Sequence, residues 1–139
     1  MPVSMNVKEF PVPKHQADAV ISQANPVSGT KYTVLDTTKN VRIIGVYVNC
    51  TWTVQPTPLE VHITLDGVAW KFSFTNPVSA TGYFIIDLDI GNNENGQTLR
   101  TNGTSRSAFI LEGRSVKVEV EITGGTVSNL FARMKYAKW

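Results

Sequence analysis

Residues 59–74, LEVHITLDGVAWKFSF, fit one hairpin, and that hairpin constrains the rest of the chain. Asp66-Gly67 lies between two runs that alternate apolar and polar residues. The dipeptide favours a two-residue type I′ turn, because both central residues of such a turn need positive φ. The turn sets Leu65 against Val68, Ile63 against Trp70, Val61 against Phe72 and Leu59 against Phe74, all apolar and all on one face. The other face pairs Glu60 with Ser73, His62 with Lys71 and Thr64 with Ala69. A slip of one residue would turn the apolar set out to water, so turn chemistry and burial agree on one register. Pro56 and Pro58 end the preceding strand, since proline has no N–H to give a ladder.

Whether the whole chain is β is decided by composition. Val, Ile and Thr number 41, against 15 for Ala and Leu together. Branching at Cβ restricts χ1 in a helix but packs well on a pleated surface. From Pro26 onward, period-two alternation bounded by turn residues predicts eight strands: 30–36, 41–54, 59–65, 68–74, 82–90, 106–112, 115–123 and 127–137. No fixed-length repeat appears, which argues against a propeller or solenoid. The 139 residues are one domain's worth of chain, enough to close a core without metal or disulfide. The fold class is therefore all-β, a two-sheet antiparallel sandwich of about eight strands, jelly-roll-like. An immunoglobulin-like sandwich is the alternative, although its cysteine pair is absent from a chain with one cysteine.

Two segments allow competing readings. In 14–24, Ala17, Val20, Ile21 and Ala24 fall at i, i+3, i+4 and i+7, which predicts a short amphipathic helix. With prolines at 2, 11 and 13, residues 1–25 read as an N-terminal arm and 26–139 as the sandwich domain. Near the C-terminus, a three-residue loop at 124–126 would make a hairpin that sets Val120 against Leu130, Val118 against Ala132 and Val116 against Met134. That register buries aliphatics and leaves Lys117, Glu119 and Glu121 wet.

Two strands carry apolar residues on both faces. In 41–54, Ile44, Val46, Val48, Cys50, Trp52 and Val54 share one face, with Val41, Ile43 and Tyr47 opposite. In 82–90, Phe84, Ile86, Leu88 and Ile90 share a face, with Tyr83 and Ile85 opposite. An outward apolar face needs a second cover, which the arm or another subunit would supply. A homo-oligomer is the expectation, with Val20, Ile21, Ile43, Tyr47, Tyr136 and Trp139 as candidate subunit contacts. Trp139 ends a basic–aromatic tail that could stack on bases or sugars, but docking of its ring on a neighbouring subunit or on the domain's own edge is preferred.

No catalytic constellation emerges. Of the two histidines, His15 lies in the arm and His62 on the polar face of a regular strand, where a solvated role is expected. Cys50 sits among apolar neighbours and reads as a small core hydrophobe with a raised pKa. No Cys/His spacing matches a zinc site. Asp87 and Asp89, followed by the 91–96 loop, offer oxygens for calcium but match no EF-hand spacing, so neither metal nor cofactor is assigned. Asn49 and Asn102 begin glycosylation-type triplets without a secretory context. A net charge of +2 does not suggest a nucleic-acid or membrane surface. The longest apolar run, residues 83–86, cannot span a bilayer, and the start shows no secretory h-region.

The longest polar connection, 91–105, offers paired donors and acceptors suited to hydroxyl-rich ligands. A carbohydrate- or receptor-binding module is therefore the alternative reading, with Tyr83, Asn92, Asn93 and Asn95 as the candidate ligand-binding loop. NPVSGTKYTVLDTTKNVRIIGVYVN and PTPLEVHITLDG carry a further signal in a proline-led start, a TVLD strand, a long aliphatic strand and an Asp-Gly hairpin. In these runs residues 26–139 resemble small virion-associated β-sandwich proteins of tailed bacteriophages and prophages, of the decoration, neck, baseplate or fibre-tip type. The resemblance implies a non-enzymatic structural protein in a symmetric homo-oligomer, in contact with other virion proteins and assembled in a host cytoplasm. It brings no functional residue with it.

Overall fold

The computed structural model describes residues 15–87, 96–98 and 111–138. They form ten strands: β1 (His15–Ala24), β2 (Tyr32–Thr37), β3 (Val41–Val54), β4 (Leu59–Leu65), β5 (Val68–Phe74), β6 (Gly82–Asp87), β7 (Gly96–Thr98), β8 (Leu111–Gly113), β9 (Val116–Ile122) and β10 (Thr126–Lys138). Sheet A runs β1-β10-β3-β6-β7, with β8 also against β3; sheet B runs β2-β9-β4-β5. Pairing is antiparallel throughout except for the short parallel contact of β7 with β6.

The order of pairing identifies the topology. β1 pairs β10 and β3 pairs β6 in sheet A, while β2 pairs β9 and β4 pairs β5 in sheet B. Nested pairs falling alternately in two sheets are what a long hairpin gives when it is rolled up, which is a jelly roll. The immunoglobulin-like alternative does not have this order.

The core lies between the sheets. Sheet B contributes Leu59, Val61, Ile63, Val116, Val118, Val120 and Ile122; sheet A contributes Val41, Ile43, Val46, Val48, Cys50, Leu130, Ala132 and Met134. Each fully buried Val, Ile, Leu or Met in it adds about 1.5–3 kcal/mol relative to exposure. The Asp66-Gly67 hairpin has the predicted register, from Leu65 opposite Val68 to Leu59 opposite Phe74. Its turn residues have φ of 49° and 85°, as a type I′ turn requires.

Four expectations are corrected. Residues 15–24 are not helical. Over all ten positions β1 pairs with β10 and turns Ala19 and Ile21 toward the core, while Val20 points out and is 54% exposed. The same residues fit both periods, and a sheet edge next to β10 decided for the shorter one.

The second correction concerns β9 and β10, which do not form a hairpin but lie in opposite sheets. Val116, Val118 and Val120 meet Leu130, Ala132 and Met134 within one core instead of side by side in one ladder. The chain turns the corner at Gly124 and Gly125, with φ of 70° and 72°. A Cβ on Gly125 would fall 2.5 Å from the Val54 carbonyl oxygen, so this corner also needs glycine for space.

Third, β3 changes phase. Its register against β10 steps from Lys135↔Gly45 to Tyr136↔Ile43, which leaves Ile44 as an extra residue. A bulge of this kind turns Val41 and Ile43 to the same side as Val46, Val48 and Cys50. Tyr47 faces away from that core and packs with Phe84 and Phe131, its ring centroid 5.0 and 6.0 Å from theirs. Tyr47 is 7% exposed and Phe84 3%, so these outer apolar residues are covered within one chain and do not call for a second subunit.

Last, Trp70 lies on the apolar face of its hairpin but does not pack in the core, whereas Trp52 does so in part. Trp70 is 42% exposed, because β5 is the edge of sheet B.

Candidate functional site

The polar side of sheet B gathers more chemistry than the sequence pattern suggests. Glu60 and His62 alternate with the buried Leu59, Val61 and Ile63, so they share the outer face of β4. On one flank β5 presents Lys71 and Ser73; on the other β9 presents Glu119 and Glu121. The ladder places Glu60 directly opposite Glu121 and His62 opposite Glu119. Like charges facing each other across strands destabilise a sheet unless something positive lies between them.

The His62 ring lies between the two carboxylates. Its Nε2 is 2.9 Å from Glu121 Oε1 and 3.5 Å from Glu60 Oε1. The other oxygen of Glu60 is engaged elsewhere, accepting from Ser73 Oγ at 3.0 Å with Lys71 Nζ 3.6 Å away. Lys117 Nζ lies 3.6 Å from Glu119. The side chains of Glu60, His62 and Glu121 are only 14%, 18% and 15% exposed, which strengthens their interaction relative to a fully solvated cluster. One donor atom from each lies within 4.8 Å of the others, so these three could hold a metal ion.

The residues singled out from sequence are scattered by comparison. Tyr83 is a core residue, its ring centroid 4.6 Å from that of Phe74 and its hydroxyl accepting from the Val78 N–H at 2.9 Å. Tyr83 is 8% exposed. Asn92, Asn93 and Asn95, and Trp139 with them, lie outside the described residues. Ile43 is fully buried in its own chain, and Tyr47 is enclosed in the aromatic cluster. Ile21 and Tyr136 are partly buried against the core, which leaves Val20 as an exposed apolar member of the set. Asn49 donates from Nδ2 to Tyr47 Oη at 3.1 Å. Burial pushes the Cys50 thiol up to about 11, as its apolar neighbours predict.

Sequence reasoning misses the Glu60–His62–Glu121 group because Glu121 reaches His62 only through the β4–β9 pairing, whereas the hairpin reading pairs β9 with β10. The available signal was the i, i+2 spacing of Glu60 and His62 beside a strand that alternates Lys117, Glu119 and Glu121.

No protein-family model and no curated protein matches this sequence. Among solved structures, the chain is similar to one described as "Bacillus endospore appendages form a novel family of disulfide-linked pili", at 9% identity and TM-score 0.48 over 89% of this chain and 87% of that one. It is also similar to infectious bursal disease virus chains: 14% identity and TM-score 0.37 for the Gt strain, 18% and 0.35 for the Gx strain. The matches cover 88% and 91% of this chain but only 32% and 33% of those viral chains. With every TM-score below 0.5, none of these likenesses assigns a function.

Proposed function

We propose that this chain is a non-enzymatic structural module that works by self-association, as a component of a phage-like particle. The observation that carries self-association is the edge strand β5. Val68 and Trp70 are 58% and 42% exposed on the side of β5 that continues the core-facing surface of sheet B. Among the described residues β5 has one sheet neighbour, β4, which makes it an edge strand of sheet B there. Exposed apolar side chains along an open strand edge invite a second polypeptide. A second copy offers the same strip, and a two-fold axis makes the contact self-complementary. Lys71 limits the geometry, because an edge-to-edge pairing centred on it would oppose two ammonium groups. The contact therefore runs through the faces of Trp70 and Val68.

The non-enzymatic reading is supported by the settings of the reactive groups. Cys50 is buried and held as the thiol. His62 stands on the face of a regular sheet between two carboxylates, its Nε2 2.9 Å from Glu121 Oε1 and 3.5 Å from Glu60 Oε1. The sequence resemblance to virion modules supports a particle as the assembly, formed in a host cytoplasm beside other virion proteins.

The test compares the unmodified chain with Trp70→Lys and Val68→Lys by light scattering on a sizing column. Both substitutions are predicted to convert an oligomer to monomer while the β-sheet circular dichroism is unchanged. A monomeric unmodified chain, or variants that assemble to the same mass, would overturn the proposal.

A further inference from the structure

We infer that Glu60, His62 and Glu121 form a divalent-cation site of the zinc type on the outer face of sheet B. Three observations carry it. The donor set is one imidazole nitrogen and two carboxylate oxygens, a mixture that suits zinc and poorly suits calcium or magnesium, which prefer oxygen throughout. The distances also suit it: bonds of about 2.0–2.2 Å in tetrahedral geometry place ligand atoms about 3.3–3.6 Å apart. His62 Nε2 lies 3.5 Å from Glu60 Oε1, within that range, and 2.9 Å from Glu121 Oε1, a hydrogen bond that would lengthen slightly on binding, and all three donor atoms fall within 4.8 Å of one another.

The third observation is the surrounding support. Ser73 Oγ and Lys71 Nζ hold Oε2 of Glu60, leaving Oε1 directed at His62. Outer contacts that orient a ligand in this way are a regular part of metal sites. The three residues also stand on β4 and β9, strands paired at every position from Leu59↔Ile122 to Leu65↔Val116, so the backbone beneath the donors is rigid. Glu60 and Glu121 face each other as like charges, and a bound dication would neutralise that repulsion where a neutral imidazole does not.

The competing account is a metal-free ion pair, with a protonated His62 shared between the carboxylates. The experiment separates the two. The full chain, without an affinity tag and stripped with chelator, is titrated with Zn²⁺ by calorimetry while the imidazole ¹⁵N resonances of its two histidines are followed. One zinc per chain is expected, with the His62 nitrogen shifting in step and the His15 nitrogen unmoved. His62→Gln and Glu121→Gln are expected to weaken binding at least about tenfold, and His15→Gln to leave it unchanged. The ¹⁵N readout on the unmodified chain decides the matter even if a variant folds poorly. Absence of stoichiometric binding, a shift at His15 instead of His62, or unaltered affinity in folded His62→Gln would overturn the site.

Discussion

Cys50 and Gly82 show what single side chains contribute. Cys50 lies between Val48 and Trp52 in sequence and is 1% exposed, and burial raises its thiol from 9.0 to about 11. Because the folded pKa lies above the unfolded one, the stability tied to this group is fully present below pH 9 and is lost as pH rises toward 11. Subtracting the pH profile of Cys50→Ala from that of the unmodified chain, by urea denaturation, is expected to isolate this loss. Thiol reagents at neutral pH are expected to label Cys50 only on unfolding. Gly82 is needed for a different reason: the Tyr47 ring lies where its Cβ would be. Gly82→Ala is predicted to cost about 1–3 kcal/mol in urea denaturation, and less on a Tyr47→Ala background. The burial of Cys50 is legible from alternation alone. The need at Gly82 is not, since it depends on β3 and β6 being neighbours.

At the scale of elements, local patterns that agree with one another were readable. The β4–β5 hairpin is written twice, in its turn dipeptide and in its alternation. Its turn also makes a contact that no local pattern encodes. Asp66 Oδ1 accepts from the backbone N–H groups of Arg114 and Ser115 at 2.8 and 2.9 Å, and Asp66 N–H donates to the Ser115 carbonyl. The carboxylate thus ties the hairpin tip to the start of β9. Asp66→Ala is predicted to destabilise by about 1–3 kcal/mol, and Asp66→Asn by less, because asparagine keeps an acceptor and tolerates positive φ. Equilibrium unfolding of both variants checks the order. Alternation in β9 and β10 was equally clear, but it says only which face is apolar. Whether two such faces lie side by side or look at each other across a core depends on the corner at Gly124-Gly125, where the backbone closes against Val54–Pro56. For the same reason the bulge at Ile44, set by pairing with β10, could not be seen in β3 by itself.

For the molecule as a whole, the all-β class and the jelly-roll form follow from β-branched composition and strand count, whereas the nested order needs the long-range pairs. β1 is the clearest case, since its edge position beside β10 makes residues 15–24 part of the sandwich. Removing residues 1–24 is therefore predicted to expose Tyr136 and Met134 near the new edge and to lower the urea midpoint, where removal of a loose arm would leave it unchanged. Under the proposed self-association the contact runs through the exposed Val68 and Trp70 of β5, whereas Tyr47 of β3 and Phe84 of β6 are covered within the chain. The most direct measurement is the mass of the unmodified full chain by sedimentation velocity over a wide concentration range. The account predicts species at whole multiples of 15.3 kDa that persist on dilution. A single species of 15.3 kDa at every concentration would contradict it.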